Sequence, residues 1–329
     1  MNTTTGSPVM YEPHLGLSDK LASYIAWSLA GTLFFTIGWI ALAPLDPLGP
    51  VSLYAGHGVF GMVAQAILLG IVASAVGTAI IGRKLPDAGT FAAALGLGIV
   101  SVRGGTLEYF LVQAADGAMG STRALSLSLA AETMGWAPVV AVAVISSAIV
   151  SRWLFSQTAC GPDDQVTMIP AGWDIPVIGP ALGRPGDLRV TDPSAGGRHF
   201  VIALAVTLAA HRLFSTGLQA REITHGQSCF VVAASVCAGV YFAFRFAPVR
   251  SALWAILASL SYSLVGLLIA GLTVHSPQAA SGLPANIPPS HFLLALPIQL
   301  VAVGCATAVG TFWWRHTIDT ITRNVLRAA

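Results

Sequence analysis

Apolar residues in this chain come in long unbroken runs, with little alternation between polar and apolar positions. Eight stretches, near 21–43, 59–82, 89–113, 134–155, 198–217, 228–247, 251–274 and 291–314, are long and apolar enough for membrane crossings. A helix of about 20 residues spans a hydrocarbon layer of roughly 30 Å. The short alternating segments of a membrane β-barrel are not seen, so the crossings are read as helical. The pattern predicts an all-α, polytopic membrane bundle of eight helices.

Composition agrees. Hydrophobic residues make up 55% of the 329 positions and charged residues only 9%, with a mean hydropathy of +0.74. Soluble domains carry about 25% charged residues. The first apolar run ends in Ala41-Leu42-Ala43, which has the look of a signal-peptide cleavage site. It is much longer than a signal core of about 7–15 residues, and Pro44 follows directly, so a retained first helix is expected.

Basic residues set the orientation. Lys20, Arg83, Lys84, Arg152, Arg184, Arg189, Arg198, Arg245, Arg250, Arg315, Arg323 and Arg327 fall on one side, and Arg123, Arg212 and Arg221 on the other. This bias predicts a multi-pass protein of the inner (plasma) membrane with both termini cytoplasmic. Trp153, Trp313 and Trp314 stand beside Arg152 and Arg315, as interfacial anchors do. The net charge of +2 then reflects topology and carries no nucleic-acid signal. The expected partners are the bilayer and a small molecule or ion; oligomers and further subunits are left open.

The domain expectation is a cytoplasmic tail over 1–20, a four-helix unit over 21–156, a linker over 157–197, a second four-helix unit over 198–315 and a tail over 316–329. The linker holds Pro162, Pro170, Pro176, Pro180, Pro185 and Pro193, and structureless loops of that length are uncommon in compact domains. It is read as a segment along the cytoplasmic face, or as a gate or docking segment.

The two units share landmarks in the same order. The run from Ser28 to Gly38 can be laid over that from Thr207 to Gly217, and His57-Gly58 over His225-Gly226. Arg83-x-x-Pro86 likewise matches Arg245-x-x-Pro248, and Pro138 with Trp153 matches Pro297 with Trp313. Four helices per unit implies a parallel 4+4 repeat about an axis along the membrane normal.

Candidate chemistry concentrates in the third stretch, which reads Arg103-Gly104-Gly105-Thr106-Leu107-Glu108-Tyr109. Ionisable residues at membrane depth are costly and mark functional paths or interior pairs. From Gly89 to Arg103 the helical rise is roughly 21 Å, and from Arg198 to His211 roughly 20 Å, which puts the two groups level. Arg103 and Glu108 are five residues apart, about 140° around a helix, so a cross-helix partner is expected. Glu132 is the candidate for Arg103, and His211 or Arg212 for Glu108. Gly104 and Gly105 are read as a hinge.

Three functions follow as alternatives. One is a secondary transporter or channel-like protein for a small solute, with Arg103 recognising an anionic group and Glu108, Glu132 or His211 coupling protons. Another is a haem- or metal-binding membrane redox protein using His57 and His225. In the third, a non-catalytic membrane subunit, the buried charges only lock the bundle. No motif requires a cofactor. His-Glu-x-x-His, Gly-x-Ser-x-Gly and a phosphate-binding Gly-Lys-Ser/Thr loop are all missing, which leaves an enzyme open but the less expected reading. Cys160, Cys229, Cys237 and Cys305 have no paired spacing.

Overall fold

The computed structural model describes residues 16–54, 56, 58–115, 122–155, 168–179, 193–216, 218, 223–273 and 292–328. Nine α-helices are seen among them, besides a 3-10 turn at Ala171–Asp174: α1 (Leu17–Leu42), α2 (Val59–Ile81), α3 (Ala88–Ser101), α4 (Glu108–Ala115), α5 (Thr122–Phe155), α6 (Pro193–Phe214), α7 (His225–Phe246), α8 (Leu253–Thr273) and α9 (Pro297–Ala328). No strand occurs among the described residues; one isolated bridge joins Ile169 to Ser251.

Six of these helices, α1, α2, α5, α7, α8 and α9, are long and apolar enough to cross a membrane. Their outward faces carry large apolar side chains, with Phe60 91% and Ile40 81% exposed. So much exposed apolar surface would drive association in water, whereas a lipid surround solvates it. The chain is a multi-pass helical membrane protein.

The expected third and fifth crossings differ from the other six. The third is broken: α3 has 14 residues, roughly 21 Å of helix, which falls short of the hydrocarbon layer. The chain then leaves the helix over 102–107 and re-enters it as α4. The fifth, α6, is 22 residues long, but Arg198, His199, His211 and Arg212 dilute its hydropathy. The expected fourth crossing begins earlier than its apolar run, because α5 extends from Thr122 through Glu132 and Pro138.

Packing is closest where small residues meet. A Cβ on Gly239 of α7 would lie 2.0 Å from Thr207 Oγ1 of α6, so that pair needs its glycine. The core holds Phe34, Trp136, Tyr262 and Phe312, all essentially buried. α3 packs on α9, α8 on α5, and α5 on α9.

One end of the bundle carries the α1–α2 loop, the 102–107 break and the start of α7. At the opposite end lie residue 16, the α2–α3 turn and residues 168–179 of the linker. That piece is docked: Ile169 N–H donates to Arg250 O (2.9 Å) and Ala171 N–H to Asp87 Oδ1 (2.9 Å).

Candidate functional site

Glycine and aromatic geometry explain the Arg103 segment. Within α1, residues Phe34–Gly38 form a π-helical turn. Such turns displace main-chain carbonyls from their usual partners. The Arg103 guanidinium donates to the carbonyl of Phe35. It also lies 4.5 Å from the centroid of the Phe35 ring and 4.6 Å from that of Trp39. The residue is exposed, and its partners are a carbonyl and two rings rather than Glu132.

The two glycines bring main chain against main chain. Gly105 N–H donates to Gly49 O (2.8 Å). A Cβ on Gly105 would fall 2.1 Å from Leu48 O, and one on Gly104 would fall 3.0 Å from both Gly49 O and Val51 N. The pair therefore serves as a seat for the α1–α2 loop. Tyr109 continues that seat, its hydroxyl donating to Asp46 Oδ2 (2.7 Å) while Leu48 N–H donates to Asp46 Oδ1 (2.9 Å). The Leu48 and Tyr109 donors hold the Asp46 carboxyl below its ordinary value.

Glu132 anchors the far side of the same loop. Ser52 Oγ donates to Oε2 (2.6 Å), and Leu53 N–H (3.0 Å) and Trp136 Nε1–H (2.9 Å) donate to Oε1. The side chain is buried, so three donors take the place of water around a carboxylate in a low-dielectric setting. Tyr54 adds a bond from its hydroxyl to Ser128 O (3.0 Å).

His225 joins this end to α9. Gln299 Nε2–H donates to His225 Nδ1 (2.8 Å), which leaves the proton on Nε2 for Gly104 O (2.9 Å). Gln299 Oε1 accepts from Leu296 N–H (3.2 Å) and Ser228 Oγ (3.3 Å). Both ring nitrogens of His225 are thus taken up within the protein. His57 lies outside the described residues, and no group of three metal-ligating side chains occurs among the described ones.

His211 belongs to a separate cluster. Tyr262 Oη and its Nδ1 share a hydrogen bond (2.5 Å), and Phe292 stacks on the imidazole with centroids 5.1 Å apart. Both His211 and Tyr262 are buried between α6 and α8. Glu108 opens α4, half-buried, and forms no ion pair with Arg103, His211 or Arg212 among the described residues. Arg212 is exposed at the end of α6.

The structure therefore gathers Arg103, Gly104, Gly105, Glu132 and His225 around one loop, and leaves His211, Arg212 and Glu108 elsewhere. The sequence reading passed over Asp46, Ser52, Gln299 and Tyr262. Gln299, three residues past Leu296 at a helix start, makes only the Gln half of a capping box, and with Leu at the cap position it leaves no signature in the sequence. The Ser259, Ser261, Tyr262, Ser263 cluster is a polar interruption within an apolar run. Ser52 carried no such signal.

Asp87 is a second buried acid, in the turn before α3 and in the left-handed region at φ 66°. Burial pushes its carboxyl up to about 7; the Ala171 N–H opposes that shift, and Asp174 adds to it. No protein-family model, curated protein or solved structure matches the chain.

Proposed function

We propose that this is an eight-crossing plasma-membrane protein with cytoplasmic termini, and that it moves a small solute coupled to protons. The broken third segment and α6 complete the eight crossings beside the six long apolar helices. The parallel 4+4 reading draws support from the packing across the two halves. The third helix of each half meets the fourth helix of the other (α3 on α9, α8 on α5), and the two fourth helices meet each other. A two-fold axis would generate that arrangement.

One observation carries the transport reading: buried Glu132 fastens the α1–α2 loop through Ser52 and Leu53. Protonation would give the carboxyl a donor of its own and weaken its grip on those two groups. The loop then opens the bundle on the outer side when a proton arrives, and closes it when the proton leaves. Discontinuous helices lining the solute path are common in secondary transporters, and 102–107 lies against the same loop. His211 with Tyr262 is a second proton-holding pair, deeper in the bundle.

The test uses purified full-length protein in proteoliposomes containing a pH-sensitive dye, with an imposed pH gradient and a panel of small anions, cations and neutral solutes. Solute-dependent proton movement that is lost in E132Q is the expected result. If no solute moves protons although the wild type is correctly inserted, the transport reading fails.

A non-catalytic membrane subunit is the second reading. It is favoured by the structural employment of Arg103, Gly104 and Gly105, each of which holds the fold together. The haem or metal reading loses ground, since His225 has no ring nitrogen left to offer.

A further inference from the structure

We infer that the groove between α1 and α3 binds one phospholipid, with an acyl chain along the groove and the anionic phosphate on Arg103. The groove has a volume of about 480 Å³ and is lined by Tyr24, Gly31, Thr32 and Phe35 of α1 with Leu95 and Ile99 of α3. Its floor is where α1 and α3 touch: a Cβ on Gly31 would lie 2.8 Å from Ile99 Cδ1. From Tyr24 to Phe35 it follows α1 for roughly 16 Å. That stretch is centred on α1, about 10 Å from either helix end, so a chain lying in it passes the middle of the bilayer and its headgroup is drawn inward to Arg103.

Charge marks which end takes the headgroup. Phe35 both lines the groove and stacks under the Arg103 guanidinium, which places the cation at the groove's end. Bonding to the Phe35 carbonyl and stacking on two rings orient the planar fork and leave further N–H donors on an exposed residue. No carboxylate of the described residues pairs with it, and a guanidinium matches phosphate bidentately. In the membrane the groove is bathed in molecules that combine an acyl chain with a phosphate. The inference rests on α1 lying in the bilayer and is independent of transport.

The test is native mass spectrometry of the full chain, purified in mild detergent and offered palmitoyl-oleoyl-phosphatidylglycerol. One lipid per wild-type chain should survive detergent removal. Retention should drop at least tenfold in R103Q, and equally in T32W, which fills the groove from its exposed rim and leaves Arg103 untouched. Diacylglycerol, which has the chains but no phosphate, should be retained at least tenfold less by the wild type. That comparison stands even if R103Q does not fold. Equal retention by wild type and T32W would mean non-specific annular lipid and would overturn the inference, as would equal retention of diacylglycerol. Competition by inorganic phosphate in T32W would mean an anion bound without the groove, and overturns it too.

Discussion

Arg103 donates to the main-chain carbonyl of Phe35 across the gap between the break after α3 and the π-helical turn of α1. The two irregularities answer each other: the break supplies a long cation, and the turn supplies a carbonyl and the Phe35 ring, with Trp39 just after it adding a second aromatic face. What reads in sequence as a misplaced charge is a tie between two helices.

Removing that tie should cost stability. Cation–π contacts contribute about 0.5–1 kcal/mol at exposed sites and about 2 when desolvated. R103Q is expected to lower unfolding free energy in detergent by about 1–2 kcal/mol, and R103K by less, because lysine keeps the charge without the planar fork. Thermal melts followed by tryptophan fluorescence check this. Identical melts for wild type and R103Q would contradict it.

The glycine seat makes a sharper prediction. A methyl at Gly105 would meet Leu48 O at 2.1 Å, against 3.0 Å for the nearest atoms at Gly104. Overpacking costs about 1–3 kcal/mol, and main chain gives way less readily than side chain. G105A should therefore destabilise the protein more than G104A, and should expose the α1–α2 loop to protease. Were the pair a hinge, both alanines would slow motion with little loss of stability.

Asp87 links stability to pH. Its carboxyl titrates near 7 in the fold and near the ordinary 3.8 when unfolded, so between those values the folded state holds the extra proton. Stability from this group is fully present below about pH 4, falls as pH rises through about 7, and is flat above. Melts at pH 5 and pH 8 should show the wild type less stable at the higher pH, with that difference reduced in D87N. An unchanged difference in D87N would assign it to other groups.

Much of the helical framework is legible in the sequence, because lipid imposes length and hydropathy on each crossing. Six apolar runs correspond to long apolar helices at nearly the expected positions. The third run reads as one crossing with a hinge at Gly104-Gly105, whereas the chain leaves the helix altogether over 102–107. Side-chain partners are not legible. Arg103 was expected to seek an acid, but a carbonyl released by a π turn satisfies it, and nothing in Phe34–Gly38 announces that turn. Glu132 was expected to seek a cation and is satisfied by three neutral donors, two of them from a loop 79 and 80 positions away. Loop-to-helix contacts of that span depend on the whole fold, whereas crossings depend on local composition.

The central claim is that the charge state of Glu132 decides whether the α1–α2 loop stays shut, and the Leu53 amide reports on it directly. Hydrogen exchange of that amide should be slow in the wild type. It should be at least tenfold faster in E132Q, whose amide brings a donor of its own as the protonated acid would, and in E132A. Undiminished protection of Leu53 in a folded E132Q or E132A would contradict the account.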